Sequence, residues 1–227
     1  MQRPTIVVFA SGTKDGGGSG FQKLVEKSRG DTPELEAIIG AVVSQYSDGG
    51  VAQRAAHLSV PFIHFPGPYT AEAYGDVLKK SGAQWVALSG WLKKVSGLDP
   101  KRTFNIHPGS LTDCNGVFGG KGMYGHYVHE AVAKAYGEGK VKTSSATMHF
   151  VTDEYDRGPI FFEHRVDLAP GITAEEIGRR VNELEHAWQA RITNLVVHEH
   201  IAWDGADPES LVVPEGYMFK PNSSSHL

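Results

Sequence analysis

The alternation of short apolar runs with longer amphipathic segments constrains the fold of this chain more than any other feature. A buried strand at 6–10 leads into a glycine-rich turn and a helical pattern over 21–27. The alternation continues with apolar runs at 35–43, 62–65, 85–88 and 103–106 and amphipathic segments at 51–58 and 70–80. Such alternation is typical of a parallel sheet with helices on both faces. The sequence therefore predicts an α/β fold of Rossmann-like class.

The pattern changes in the second half of the chain. Apolar runs at 146–151 and 159–166 are joined by a connection too short for a crossover helix, which predicts an antiparallel hairpin at one end of the sheet. Thr173 and Glu176 match a capping box before a helix predicted over 174–198. Because no linker or internal repeat interrupts the pattern, we expect a single domain over 1–220 and a disordered tail at 221–227.

Composition excludes several classes of protein. The formal net charge of −4 is a poor match for a nucleic-acid-binding surface, which has to neutralise phosphates. The one cysteine, Cys114, cannot form an intrachain disulfide, and no apolar run is long enough to span a membrane. We therefore expect a cytoplasmic protein with neither nucleic acid nor membrane as a partner, either a monomer or a homodimer.

Ligands of an open parallel sheet bind outside the carboxyl ends of its strands, so the residues that follow each strand are candidates for a site. The first strand is followed by the glycine-rich stretch 11–20, which leads into a helix. Glycines let backbone amides approach an anion, and a helix N-terminus favours negative charge. A phosphate site and a flexible loop are both consistent with this stretch alone.

A second candidate lies at the end of the fifth strand. Asn105 and His107 point to the same side of a strand, where a carbonyl could be polarised and a proton moved. Asp156, in the turn 153–159, is an ordinary turn residue when taken alone, but beside His107 it could raise the imidazole pKa. The remaining histidine pairs match no zinc motif, so we expect no metal.

Three segments together resemble the phosphoribosylglycinamide formyltransferases, a family of folate-dependent enzymes. They are Asn-Ile-His-Pro at 105–108, the glycine-rich 119–125 followed by 128–131, and 149–159 with its Asp-Arg-Gly-Pro. The resemblance extends from residue 5 to about 217 and includes Glu185 and His186 on the last long helix.

The resemblance implies transfer of a formyl group from 10-formyltetrahydrofolate, a co-substrate, to the amine of glycinamide ribonucleotide in purine synthesis. Asn105, His107 and Asp156 would be catalytic and would stabilise a tetrahedral intermediate. Gly18, Ser19 and Gly20 would hold the substrate phosphate, and Glu185 and Asn182 would face the glycinamide. The folate pocket would be lined by Leu92, Lys93, Lys94, Val95, Phe104, Val151, Thr152 and Asp153.

The chain departs from the family pattern in the first loop and in the folate site. Residues 13–17 are an insertion, and Gly18-Ser19-Gly20 stands where the family has Gly-Ser-Asn. Lys93 stands where arginine is common, and no basic residue near Ala71 matches the one that binds the folate tail. Loop 111–125 is glycine-rich, and we hypothesise that it closes over the substrates.

Several alternatives remain. A nucleotide-sugar N-formyltransferase would use the same chemistry on another amine. A methionyl-tRNA formyltransferase should carry a further C-terminal domain, and a formyltetrahydrofolate hydrolase an extra N-terminal one. A non-catalytic nucleotide-binding protein could share the fold but would not need all three polar residues. An NAD-dependent oxidoreductase should have an acidic residue at the end of the second strand, where this chain has 42–45, Val-Val-Ser-Gln.

Overall fold

The computed structural model describes residues 3–221. The predicted disordered tail 221–227 therefore lies, apart from its first residue, outside the described residues. Among the helices of the described part, none combines the length and the apolar character needed to cross a membrane.

Seven strands form one sheet in the order β3-β2-β1-β4-β5-β6-β7. The strands from β1 to β5 pair in parallel, whereas β6 pairs antiparallel with both β5 and β7. The predicted mostly parallel sheet with an antiparallel hairpin at one end is confirmed. In chain order the strands are β1 (Thr5–Phe9), β2 (Ile38–Ser44), β3 (Phe62–His64), β4 (Trp85–Ser89), β5 (Thr103–His107), β6 (Thr143–Phe150) and β7 (Ile160–Asp167).

Helices cover both faces of this sheet, as predicted. Alternate side chains of β1 point to opposite faces, so Ile6 and Val8 belong to one hydrophobic cluster and Val7 and Phe9 to the other. The first cluster includes buried residues of four helices, and the second is covered by α3. The helices are α1 (Ser19–Lys27), α2 (Gly50–His57), α3 (Ala71–Ser81), α4 (His126–Gly137) and α5 (Ala174–Val197).

Several predicted boundaries differ from the structure by one to three residues, and two of these differences have a clear physical reason. Helix α1 begins at Ser19, two residues before the predicted start, and so the end of the glycine-rich stretch forms its first turn. The apolar run 35–43 is not all strand, because Leu35 and Ala37 are buried in the core before β2 begins. An apolar run reports burial, and burial does not require a regular hydrogen-bonded strand.

The capping box of α5 forms only in part. The Thr173 hydroxyl accepts the hydrogen bond of the Glu176 amide at 3.2 Å, as predicted. The Glu176 carboxylate does not reach back to the cap, and instead pairs with Arg179 and Arg180 at 2.8 Å each. The helix therefore begins where the sequence indicated, through one hydrogen bond of the box.

The strand order reverses between β1 and β4. Successive connections leave these two neighbouring strands in opposite directions, which opens a crevice at their carboxyl ends. The loops there are tied together, since Ser11 N donates to Gly90 O at 2.9 Å and Leu92 N donates to Ser11 Oγ at 2.9 Å. This crevice is where the sequence-predicted residues have to meet if they form one site.

Candidate active site

One cavity of about 800 Å³ opens at this crevice. It lies between the loops that follow β1, β4 and β5, the glycine-rich segment 120–126 and one side of α5. Residues predicted for four different roles line this cavity together: Gly18, Ser19, Gly20, Leu92, Asn105, His107, Asp156, Asn182 and Glu185. The fold therefore brings the predicted catalytic and ribonucleotide-binding residues to one place.

His107 ends β5 and is only 3% exposed. Its Nε2 lies 2.7 Å from the carbonyl oxygen of Phe118. A carbonyl can only accept a hydrogen bond, so Nε2 carries the proton and Nδ1 presents its lone pair. Burial lowers the pKa of His107, and the nearby Asp156 carboxylate opposes this only in part. The imidazole is therefore neutral near pH 7 and can take up a proton at Nδ1.

Asp156 lies beside that nitrogen, with Oδ2 3.8 Å from His107 Nδ1. The Gly120 amide donates to Oδ2 at 2.8 Å. Burial by itself would raise the Asp156 pKa. A hydrogen bond and charge from His149 in its protonated form, the charge of protonated His107 and the Gly120 amide together lower it to about 2. The carboxylate is therefore ionised at any physiological pH.

The backbone of Asp156 is held in an unfavourable conformation. Its φ of 54° lies in the left-handed region, which costs a residue other than glycine free energy. Neighbouring glycines allow the close packing around it. A methyl group on Gly158 would lie 1.8 Å from Phe150 O, and one on Gly119 would lie 3.2 Å from the Asp156 Cβ. The turn is thus built to aim this carboxylate at the cavity.

Asn105 is oriented by a histidine that the sequence reasoning missed. His149 is the direct partner of Asn105 in the β5–β6 pairing and is 2% exposed. Its Nδ1 donates to Phe150 O at 2.7 Å, so Nε2 accepts from Asn105 Nδ2 at 3.1 Å. The second hydrogen of Nδ2 lies toward Asp156 Oδ1 at 3.4 Å, a long contact that leaves it free for a ligand. A titratable residue at 149, within the mostly apolar run 146–151, was the available signal.

The residues 18–20, here called the anion loop, form the start of α1. Gly18 is the N-cap with a φ of 78°, and the first turn of the helix contains no acidic residue. The departure from Gly-Ser-Asn has a steric reason at Gly20. A methyl group there would lie 2.3 Å from Ser89 Oγ and 3.0 Å from Gln189 Oε1, so any side chain would have to displace these two neighbours.

Glu185 and Asn182 lie one turn apart on α5, and Asn182 Nδ2 donates to Glu185 Oε2 at 3.2 Å. Burial raises the pKa of Glu185 to about 7, and this hydrogen bond opposes the shift only in part. The carboxyl still reaches the cavity, which is why part of its surface is open to solvent. A carboxyl with a pKa raised to about 7 thus stands in the cavity wall beside the predicted catalytic residues.

Most of the predicted folate-binding residues lie beyond Asn105 and Asp156, which also line the main cavity. Lys93, Lys94 and Val95 face 151–153 across a narrow groove of about 50 Å³. Val95 and 151–153 also line a second cavity of about 440 Å³. The groove shares Asn105 and Asp156 with the main cavity and Val95 and 151–153 with the second cavity, so the three lie side by side past the predicted catalytic residues.

Two of the predicted folate residues stand apart from the others. Leu92 lies in the main cavity, where it is 43% exposed. Phe104 lines none of the three cavities, because its side chain is fully buried in the core near Trp85. Side chains alternate along β5, so Asn105 and Phe104 have to point to opposite faces.

Two of the remaining histidines, His126 and His129, line the main cavity, and among the described residues Nδ1 of His129 is buried without a hydrogen-bond partner. Within residues 3–221 no three histidine, cysteine or acidic side chains are grouped as metal ligands. His126 pairs with Glu130 at 3.1 Å, and burial lowers the pKa of His129 to about 4.

A sequence profile of the formyl transferase family matches residues 5–193. The chain belongs to this family. Its curated relatives include the chloroplastic phosphoribosylglycinamide formyltransferase of Arabidopsis thaliana, which is 33% identical over 213 residues that cover 89% of this chain and 68% of the relative. The phosphoribosylglycinamide formyltransferase of Bacillus subtilis is 26% identical, over 81% of this chain and 89% of the relative. The family predicted from the sequence motifs is confirmed.

The fold agrees with solved structures of the family. Glycinamide ribonucleotide transformylase 1 from Symbiobacterium toebii superposes with a TM-score of 0.76 and 26% identity, over 94% of this chain and 95% of that one. The chain spans between 64% and 68% of the length of the three plant relatives.

Proposed function

We propose that this chain transfers the formyl group of 10-formyltetrahydrofolate to the amine of glycinamide ribonucleotide, a step of purine synthesis. The observation that carries the proposal is the meeting of Asn105, His107 and Asp156 in the cavity that the anion loop and Glu185 also line. Both relatives named above are phosphoribosylglycinamide formyltransferases. Three polar groups at that point are the set that an acyl transfer needs: a donor, a base and a charge partner.

Asn105 would stabilise the negative charge that develops on the formyl oxygen. One hydrogen of its Nδ2 is held by His149, and this fixes the carboxamide plane. The other hydrogen would donate to the oxyanion. A pre-oriented donor of this kind costs no reorganisation when the charge appears.

His107 would take up the proton that the attacking amine loses. Its Nδ1 is unprotonated, and the ionised Asp156 carboxylate 3.8 Å away would stabilise the resulting imidazolium. The same proton would pass, through a bound water, to the folate nitrogen that leaves. Neutral His107 and ionised Asp156 are the protonation states this sequence of steps requires at pH 7.

The substrates would occupy the two sides of this catalytic group. The phosphate of the ribonucleotide would bind the amides of the anion loop. An anion is favoured there because the loop forms the N-terminus of α1 and the first turn of that helix contains no acidic residue. Glu185 and Asn182 would face the glycinamide. The folate would extend along the groove between Lys93 and Asp153, which is lined by both apolar and charged residues.

The test is formyl transfer from 10-formyltetrahydrofolate, followed by folate absorbance, with glycinamide ribonucleotide as the acceptor. We expect turnover that requires the ribonucleotide and is lost in Asp156→Asn. A reaction without any acceptor would indicate a hydrolase, and transfer only to an amino-sugar nucleotide would indicate the sugar-modifying branch. The absence of turnover with every acceptor would contradict the proposal and favour a non-catalytic nucleotide-binding protein.

A further inference from the structure

The insertion 13–17 is packed against the start of α2. Thr13 N donates to Gly16 O at 2.8 Å, which closes a turn, and Gly50 N donates to Thr13 O at 3.0 Å. The contact is so close that a methyl group on Gly50 would lie 2.5 Å from Gly16 O. The insertion thus supplies a carbonyl to an otherwise unpaired amide at the N-terminus of α2. It is an ordered support that leads directly into the anion loop.

Arg54, one turn further along α2, holds the end of that support. Its Nε donates to Gly17 O at 2.9 Å, and its Nη1 donates to Gln22 Oε1 on α1. Both acceptors are neutral, and among residues 3–221 no carboxylate lies within 4.0 Å of this guanidinium. By contrast Lys23, on the neighbouring turn of α1, is paired with Glu26 at 2.7 Å. The positive charge of Arg54 is therefore not neutralised by the protein.

This charge adds to the field of a helix end. The Cδ of Arg54 would lie 3.6 Å from a methyl group placed on Gly18, the N-cap of α1. The first turn of α1 contains no acidic residue, so its free amides also carry positive potential. Two positive contributions therefore meet at one point. The Glu26 carboxylate is linked to Arg54 only through the Gln22 side chain, and it is already paired with Lys23 at 2.7 Å. A doubly charged anion is the ligand that such a point stabilises most.

We propose that Arg54 is the positioning residue that makes the anion loop selective for a phosphate monoester dianion. It holds the loop through Gly17 O and contributes a positive charge beneath it, although the guanidinium does not itself line the cavity. This inference rests on the proposed function, because it assigns the phosphate of the ribonucleotide to Gly18–Gly20. It also gives the insertion a role, since Gly17 O is the group through which Arg54 acts.

The experiment compares Arg54→Gln, Arg54→Lys and the control Lys23→Gln in the full chain. Binding of inorganic phosphate is measured by titration calorimetry, and KM is measured separately for the ribonucleotide and for 10-formyltetrahydrofolate. For Arg54→Gln we expect the phosphate Kd and the ribonucleotide KM each to rise about tenfold, with an unchanged folate KM and Tm. Arg54→Lys should lose less, because it keeps the charge but not the fork of two donors. Lys23→Gln should match the unmodified chain.

The outcomes separate this inference from the proposed function. If phosphate binds to Arg54→Gln as tightly as to the unmodified chain, or binds to neither, the inference is wrong. It is also wrong if both KM values rise together with a lower Tm, because that pattern reports only a damaged fold. Weaker phosphate binding in Arg54→Gln supports the inference even where the ribonucleotide is not turned over, and that result would contradict the proposed function alone. If Arg54→Gln fails to fold, Arg54→Lys is the deciding variant. A higher phosphate Kd and ribonucleotide KM with an unchanged folate KM would then support the inference, and unchanged phosphate binding would contradict it.

Discussion

The anion loop and the predicted catalytic residues face the same cavity but are built from different parts of the chain. The catalytic group consists of side chains that bond to one another, with Asp156 contacted by Asn105, His149 and the Gly120 amide. The anion loop presents backbone amides, and its glycines leave room for neighbours such as Ser89. A network of side chains loses its function when any one of its polar groups is replaced. A site made of backbone amides loses its affinity when the backbone is displaced. Substitutions among the predicted catalytic side chains should therefore lower kcat, and substitutions in the anion loop should lower the affinity for the ribonucleotide.

The largest effect should come from Asp156→Asn. The change preserves shape but removes the charge that would stabilise a protonated His107, so kcat should fall by about three orders of magnitude. The ribonucleotide KM should change little, because the anion loop is untouched. Steady-state kinetics with both substrates varied checks this, with the exposed Asp167→Asn as the control. A loss confined to KM would place Asp156 in binding instead.

His149→Phe should have the next largest effect. Asn105 would lose the acceptor that fixes its Nδ2, so we expect kcat to fall by about 10- to 100-fold. His149→Gln offers an amide oxygen in place of Nε2 and should restore part of that loss. A merely structural role would lower Tm in both variants without separating their kcat values.

Gly20→Ala tests the other end of the cavity. The added methyl would lie 2.3 Å from Ser89 Oγ, so we expect a loss of about 1–3 kcal/mol in the free energy of unfolding and a ribonucleotide KM about tenfold higher. The double variant Gly20→Ala, Ser89→Ala should recover much of both losses, since it removes the closest contact. An unchanged KM in the single variant would mean that the loop's shape is not what binds the substrate.

The smallest predicted effect is a pH dependence at Glu185. Because its pKa is raised to about 7, the carboxyl is neutral below that pH and ionised above it. Only the ionised form can pair with a substrate ammonium, so kcat/KM for the ribonucleotide should rise several-fold as pH increases through about 7. Glu185→Gln should abolish this rise in kcat/KM near pH 7. The pH profile of the variant should keep a second rise, which comes from deprotonation of His107. This rise should lie below the pH at which histidine ordinarily titrates, because the pKa of His107 is lowered. A rise near pH 7 that survives the substitution would belong to another group.

Sequence patterns predicted the elements of the fold well and their interactions less well. The hairpin β6–β7 followed from the length of its connection, and α5 from the spacing of its apolar residues. The pairing of β6 with β5 did not follow from any local pattern, and so the contact between Asn105 and His149 was missed. Phe104 was assigned to the folate pocket by resemblance, although strand alternation points its side chain into the core. The insertion 13–17 also had no predicted role, because its partners lie on α2, more than thirty residues away.

The sequence by itself determined the class of fold and the family, and it predicted Asn105, His107 and Asp156 as a catalytic group, because these depend on periodicity and short motifs that are local in the chain. Only the tertiary structure decided which nitrogen of His107 is free, since that depends on the distant carbonyl of Phe118. It likewise decided that Glu185 titrates near neutrality and that Arg54 supports the anion loop. The protonation and orientation of these side chains depend on burial and on partners that are far apart in the chain but close in space, and so they cannot be predicted from local sequence patterns.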